Sequence, residues 1–313
     1  MYVVTGGAGF IGSHIVDALL ADGAKVRVLD DLSNGFPENL EGTGDRAEVI
    51  RGDVRDAEVV RRAIAGAEVV LHLAALGSVQ RSVDDPLASN DVNVRGTLNV
   101  LLAARDNGVR RVVFSSSSSV YGDNATLPKS EDLAAEPISP YAVSKLAGEN
   151  YTRAFCRIFG IETVCLRYFN VFGPRQRPDS QYAAVIPRFL RWALERRPLA
   201  VYGDGLQSRD FTYVDNVVAA NLLAARVAGV SGRVFNIACG TRYSLLDIVA
   251  SLEKIVGHRL EREHREARRG DVRHSQADIA AAREALGFQV RVDFHEGLRR
   301  TWHAFIASHG AHA

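Results

Sequence analysis

The chain has 313 residues, 47% of them hydrophobic and 24% charged, an ordinary globular composition with enough length for two compact units and a large core. A formal net charge of +1 leaves no global field to draw nucleic acid or anionic lipid, so neither is expected as a partner. Cys156, Cys165 and Cys239 lie far apart in apolar surroundings, and the histidines form no HExxH or His/Cys cluster, so no disulfide and no metal site are expected. No basic-then-apolar leader precedes the first strand and no apolar run reaches ~18 residues, which predicts a cytoplasmic protein without a membrane span.

Tyr2–Thr5 reads as a short buried strand. Gly6-Gly7-Ala8-Gly9-Phe10-Ile11-Gly12 follows, then an apolar-periodic helix to about Ala21. A second strand over Lys25–Leu29 ends in Asp30-Asp31, 18 residues after Gly12. Glycines at these steps let the backbone turn tightly and allow a pyrophosphate to approach a helix N-terminus; the acid is placed to accept hydrogen bonds from a ribose. Strand, glycines, helix and acid together predict a dinucleotide site. An acid with no basic residue directly after it favours NAD over NADP.

The same rhythm continues with strands at Ala47–Arg51, Val69–Leu73 and Arg111–Ser115 and a helix over about Pro86–Asn107. Alternating βα units with continuously apolar strands predict a parallel sheet covered on both faces. Asp53-Val54 stands at a strand's carboxyl end, where an adenine edge is met. His72 reads as a core or strand-end histidine, and Asn93 as either a cofactor contact or a residue bonded to helix backbone. The run Ser115–Ser119 has the composition of a flexible loop. Its place at the end of a strand in a doubly wound sheet instead puts its hydroxyls where ligands bind.

Ser139 is placed to cap the next helix, with Pro140 at its first position. Tyr141 and Lys145, four residues apart, then share one helical face. An ammonium within a few ångströms favours the phenolate, so Lys145 is expected to lower the Tyr141 pKa. Strand Glu162–Arg167 follows. Beyond it the pattern loosens: a helix near Val185–Glu195, a turn at Tyr202–Gly205, a further strand at Val234–Ala238, and a charge-alternating linker over Glu261–Arg273 read mainly as solvated surface. The expected fold is a doubly wound, seven-stranded parallel α/β sheet (Rossmann), 1–167 plus about 211–238, with a smaller α/β substrate-binding region from 168–210 and 239–313.

The segments TGGAGFIGSH, LDDLSNG, GDVRD, HLAALGSVQRS, SSSSSVYGD, SPYAVSKLAGE, RYFNVFGPRQ, SRDFTYVDN, FNIACG and RRGDVRHSQADI, in this order, resemble the extended short-chain dehydrogenases/reductases, and among them the UDP-hexose 4-epimerases. The resemblance implies that Tyr141 is the catalytic base and acid, that Ser117 stabilises the sugar oxygen, and that Lys145 orients NAD. It implies cofactor contacts from Gly6, Gly9, Phe10, Ile11, Gly12, Asp30, Asp31, Asn34, Gly35, Asp53, Val54, Leu73, Ala74, Ala75, Asn93, Ser115 and Tyr168. UDP-sugar contacts are implied for Ser78, Ser117, Ser118, Ser119, Asn170, Arg177, Ala184, Val185, Val201, Tyr202, Arg209, Arg268, Asp271 and Ser275. A homodimer is implied too, with the helices near 86–107 and 140–159 pairing across a two-fold.

Ser275 matches a position where a large aromatic in some relatives excludes an N-acetyl group. The implied substrates are therefore UDP-GlcNAc and UDP-GalNAc, with UDP-Glc and UDP-Gal also accepted. Three alternatives remain: a UDP-glucuronate 4-epimerase, in which Arg177 meets the uronate; a 4,6-dehydratase, which lacks its acid/base pair because Ser118 and Ser119 stand there; and a non-catalytic NAD-binding scaffold.

Overall fold

The computed structural model describes residues 1–178, 184–266 and 272–309. Seven strands form the main sheet: β1 (Tyr2–Thr5), β2 (Val26–Asp30), β3 (Ala47–Arg51), β4 (Val69–His72), β5 (Arg111–Ser117), β6 (Glu162–Tyr168) and, from much later in the chain, Arg233–Ile237. All neighbours run parallel, in the order Arg233–Ile237, β6, β5, β4, β1, β2, β3. The order reverses between β1 and β4, which opens a crevice at the carboxyl ends of those two strands.

On one side of the sheet lies α1 (Phe10–Ala21); on the other lie α2 (Ala57–Ile64), the short helices α3 (Val79–Asp84) and α4 (Pro86–Asn90), α5 (Gly96–Asp106) and α6 (Pro140–Phe159). Each face has its own core. Ile15, Leu19, Val28 and Leu71 pack in one, and Val3, Val60, Val100 and Val112 in the other. Two-sided burial is why these strands read as unbroken apolar runs.

The helix expected over Pro86–Asn107 is broken by a π turn at Asp91–Arg95, where the Gly96 N–H reaches back to the Asp91 carbonyl. α6 follows its sequence signals closely. The Ser139 hydroxyl accepts from the Ala142 N–H at 3.2 Å, Pro140 starts the helix, and Gly160 ends it at φ 72°.

After β6 come β7 (Val171–Phe172), α7 (Val185–Leu194), β8 (Leu199–Tyr202), β9 (Ser208–Arg209), β10 (Thr212–Tyr213) and α8 (Val214–Arg226). The late sheet strand is β11. β12 (Tyr243–Ser244), α9 (Leu245–Val256), β13 (Arg262–Arg265), α10 (Ala280–Leu286) and α11 (Phe294–His309) complete the chain. β7 pairs β10, β8 pairs β13, and β9 pairs β12. The stretch read as a charged linker thus contains a strand, although its side chains are exposed as expected. α8 packs on α1, so one continuous core runs from the sheet into the later region. There Phe172, Phe211, Tyr213 and Phe294 pack ring against ring, and Tyr243 stacks on Phe294 at 4.2 Å.

Candidate active site

The β1–α1 turn is a cradle with no room for side chains. A Cβ on Gly12 would stand 2.1 Å from the Gly6 carbonyl oxygen, and one on Gly6, at φ 69°, would stand 2.7 Å from the Ala74 nitrogen. Gly9 precedes the first turn of α1 with no side-chain cap, leaving N–H groups toward the crevice. Phe10 and Ile11 are half-buried behind it. Asp30 ends β2 and is 6% exposed. Its carboxylate accepts from Ala8 and Leu32 N–H at 2.9 Å, while burial pushes its pKa up. Close to it, a Cβ on Gly35 would meet the Asp30 carboxylate at 2.7 Å. The glycine cradle and the buried acid fit a dinucleotide's pyrophosphate and ribose.

Other expected cofactor residues are more committed than the sequence suggested. Asp31 is exposed and caps Ser33, and Asn34 accepts from Arg81 Nη1 at 2.9 Å. Asp53 is held by Arg55 at 2.5 Å, which lowers its pKa, and Val54 is buried. Leu73, Ala74 and Ala75 leave β4 half-buried. Asn93 is 2% exposed; its amide accepts from Leu76 N–H at 2.8 Å and donates to Ser144 Oγ at 2.9 Å. It therefore ties the loop after β4 to α6, through backbone of that loop and not of its own helix. His72 is a core histidine, as read. Thr5 Oγ1 lies 2.7 Å from Nδ1 and Thr97 Oγ1 3.0 Å from Nε2, and burial lowers its pKa to about 3.

The serine run is ordered as expected: Ser115–Ser117 finish β5, and Ser118–Tyr121 make a 3₁₀ turn. Ser117 Oγ accepts from both the backbone and the hydroxyl of Ser119, at 3.2 and 2.9 Å. Its own O–H is left to give, and the Ser117 side chain is the group that draws the Tyr141 pKa down. Tyr141 is seated at the start of α6 by Ser82 Oγ, which accepts its backbone N–H at 2.9 Å. Lys145 is 5% exposed; Nζ donates to the Ser115 carbonyl at 2.8 Å and stands 5.9 Å from the Tyr141 ring centre.

The expected lowering of the Tyr141 pKa is not what this arrangement produces. Burial raises it, with only the Ser117 hydrogen bond pulling it down. Burial also lowers Lys145 to about 8, against the pull of Glu149. The lysine is bonded to a carbonyl instead of the phenol, and desolvation outweighs its charge. Tyr168, whose hydroxyl bonds Ser115 and Asn221, is pushed up to about 12 and takes no part as a base.

Among the expected sugar-nucleotide residues, Asn170, Arg209 and Ser275 are drawn together through backbone. Asn170 donates to the Asp210 carbonyl, Arg209 to the Ser208 and Arg273 carbonyls, and the Ser275 N–H to Ser208. Tyr202 is half-buried and its carbonyl accepts from Gln207. Ser78 caps α3, and Ala184 and Val185 begin α7. Val201 is fully buried in β8, so its side chain is closed to a ligand. Arg177 lies over the Phe36 ring at 3.8 Å, on the side of the β2 loop. Arg268 and Asp271 lie outside the described residues. Ser82, Arg81 and Glu149 escaped the sequence reading. Ser82 and Arg81 end the segment HLAALGSVQRS, and Glu149 shows only as an acid one turn beyond Lys145. Among the described residues no group of three or more His, Cys, Asp or Glu is placed to hold a metal, and no helix is long and apolar enough to cross a membrane.

A doubly wound sheet with a glycine cradle at its switch point, a strand-end serine and a Tyr-x-x-x-Lys helix define a dinucleotide-dependent enzyme of the extended short-chain dehydrogenase/reductase class. Residues 2–238 match the NAD dependent epimerase/dehydratase family. The chain is 42% identical to a UDP-glucose 4-epimerase of Mycolicibacterium smegmatis, over 96% of each chain. Its fold superposes with TM-score 0.94 on a UDP-N-acetylglucosamine 4-epimerase of Methanobrevibacter ruminantium, 41% identical and covering 98% of both chains. TM-score is 0.92 against a UDP-glucuronic acid 4-epimerase of Bacillus cereus solved with NAD, 33% identical, covering 98% of this chain and 99% of that one. The chain belongs to the NAD-dependent epimerase/dehydratase family. It is an enzyme of the isomerase class, and its cofactor is NAD.

Proposed function

We propose that this enzyme inverts C4 of UDP-linked sugars, with UDP-GlcNAc and UDP-GalNAc as its favoured pair and UDP-Glc and UDP-Gal accepted. The observation that carries the reading is the grouping of Ser117 at the end of β5 with Tyr141 and the buried Lys145 of α6, at the edge of the sheet where the glycine cradle opens. The named relatives act on sugar nucleotides of this kind, which supports it. NAD would be held by the Gly6–Gly12 turn and Asp30, and would supply a hydride acceptor that returns the hydride to the sugar, with a positive charge in its oxidised form.

Tyr141 takes the proton of the C4 hydroxyl and gives one back at the end; such general acid–base help is worth about 10²–10⁴-fold in rate. Ser117, its oxygen already accepting twice, donates to the C4 oxygen as charge develops there. Lys145 keeps a cation beside the phenol. Asn170 and Arg209 hold the nucleotide end, leaving the hexose free to present either face. Because a cofactor lost midway would strand the oxidised sugar, NAD stays bound through the cycle.

The substrate choice rests on Ser275, half-buried and small, in the strand-like segment beside Ser208. Separate incubation of the enzyme with UDP-GlcNAc, UDP-Glc and UDP-glucuronate tests it, with the first turning over fastest. Ser275→Tyr should then depress turnover of N-acetylated sugars more than of plain hexoses. Equal losses on both would remove the gatekeeper argument.

We also propose a homodimer. Val83, Leu87, Val143 and Ile158 are large apolar side chains more than half exposed on α3, α4 and α6, the faces a second copy would cover.

A further inference from the structure

Behind the Ser117–Tyr141–Lys145 group, on the α6 side of the sheet, lies a buried charge cluster that the chemistry above does not use. Glu149 stands one helical turn after Lys145 and is 1% exposed. Its carboxylate accepts Arg167 Nε and Nη2 at 2.9 and 2.8 Å, and Ser116 Oγ donates a further short hydrogen bond. Ser116 and Arg167 are direct partners across β5 and β6, so both side chains meet the helix from one face. Arg167 also lays its guanidinium over the Tyr121 ring at 4.7 Å.

A buried ion pair is seldom more stabilising than apolar packing of the same volume, so stability gives no sufficient reason for this one. Its position gives a better one. Ser116 sits between Ser115, whose carbonyl holds the Lys145 ammonium, and Ser117, which holds the Tyr141 hydroxyl. One carboxylate on α6 thereby grips β5 between the two residues that meet the reactive side chains. Tyr141 on α6 and His72 on β4 are the titratable groups beside Lys145, while Cys165 and Arg167 on β6 adjoin Glu149 and Tyr168 bonds the Ser115 hydroxyl. None of them is an anion at neutral pH, which leaves Glu149 as the negative charge of the cluster.

We propose that Glu149 is a positioning residue of the reaction: it fixes the β5 serines against α6 and holds Lys145 as the ammonium ion. The proposal rests on the reading of Tyr141 and Lys145 given above. Burial drives Lys145 toward the neutral amine and Glu149 opposes it. With glutamine at 149 the anion is lost and Arg167 is left as an uncompensated cation. Both changes disfavour the ammonium and favour the phenolate, so both limbs of a bell-shaped kcat profile move toward acid.

The test is kcat against pH for NAD-loaded Glu149→Gln, using the UDP-sugar that the wild-type enzyme turns over fastest. The expected result is retained NAD with both limbs displaced downward by about one pH unit. Ser116→Ala, which loosens the strand and leaves the charge, should lower kcat several-fold with the limbs in place. A folded, NAD-loaded Glu149→Gln whose profile overlays that of the wild type overturns the proposal. If Glu149→Gln does not fold, Glu149→Gln/Arg167→Met strands no charge and takes its place. An acid displacement supports the proposal, and an overlay again overturns it. Turnover surviving in Tyr141→Phe is a separate result, and it counts against the functional reading alone.

Discussion

Tyr141 is a phenol that burial makes harder to ionise, and the Ser117 hydroxyl is what opposes that. The two substitutions should therefore separate. Tyr141→Phe is expected to keep its fold and bound NAD while turnover falls by about 10³-fold or more, read by a coupled assay on protein whose NAD content is measured after heat denaturation. Ser117→Ala loses the donor to both the sugar oxygen and the phenolate. Its kcat should drop about 10²-fold, and the limb of the profile set by Tyr141 should move up, because a phenol deprived of a donor ionises at higher pH. A Ser117→Ala profile with both limbs in place would mean that the Ser117 hydroxyl does not reach the ionised form.

At the scale of elements, the distance between α6 and the sheet decides where Tyr141 and Lys145 stand. Gly148 marks their closest approach: a Cβ there would lie 2.3 Å from Phe114 Cζ. Gly148→Ala should force α6 outward and cost about 1–3 kcal/mol, a fall in Tm of several degrees, with kcat lowered as well. Unchanged Tm in that variant would show that the ring turns aside. The loop cluster of the later region has its own keystone. Asp210, fully buried, accepts N–H bonds from Cys239, Gly240 and Ala277, and burial nonetheless pushes its pKa up to about 6. A carboxyl raised in the folded state contributes stability that is present below its unfolded pKa and lost as pH rises through the folded value. From about pH 4 to 6 that loss amounts to roughly 3 kcal/mol. Denaturant unfolding of Asp210→Asn across this window should show a flatter stability curve than the wild type; parallel curves would contradict the burial effect.

For the whole molecule, the exposed apolar side chains on α3, α4 and α6 bear on assembly. Leu87, 79% exposed, and Val143, 52% exposed, are the places to introduce charge. Leu87→Asp/Val143→Asp should halve the mass measured by light scattering relative to the wild type; a wild-type mass already equal to one chain would end the dimer proposal. The core runs unbroken from the sheet through α8 into the Phe172–Phe294 cluster. Movement of the later region as a separate body would have to break that packing.

The strands, the glycine cradle, Asp30, the capped α6 and the Tyr141–Lys145 face were legible in the sequence because each depends on neighbours a few residues away. Backbone turns, caps and helical spacing are local chemistry. Four features were decided only by the tertiary structure. These are the π turn that aims Asn93 at Leu76 and Ser144, the pairing of β8 with β13, the Arg177–Phe36 stack and the Glu149–Arg167–Ser116 cluster. So too was the direction of the Tyr141 pKa, since how much water is removed from a phenol depends on every element that closes over it. Local sequence names the groups that can react; the packing of distant segments sets their charge and their partners.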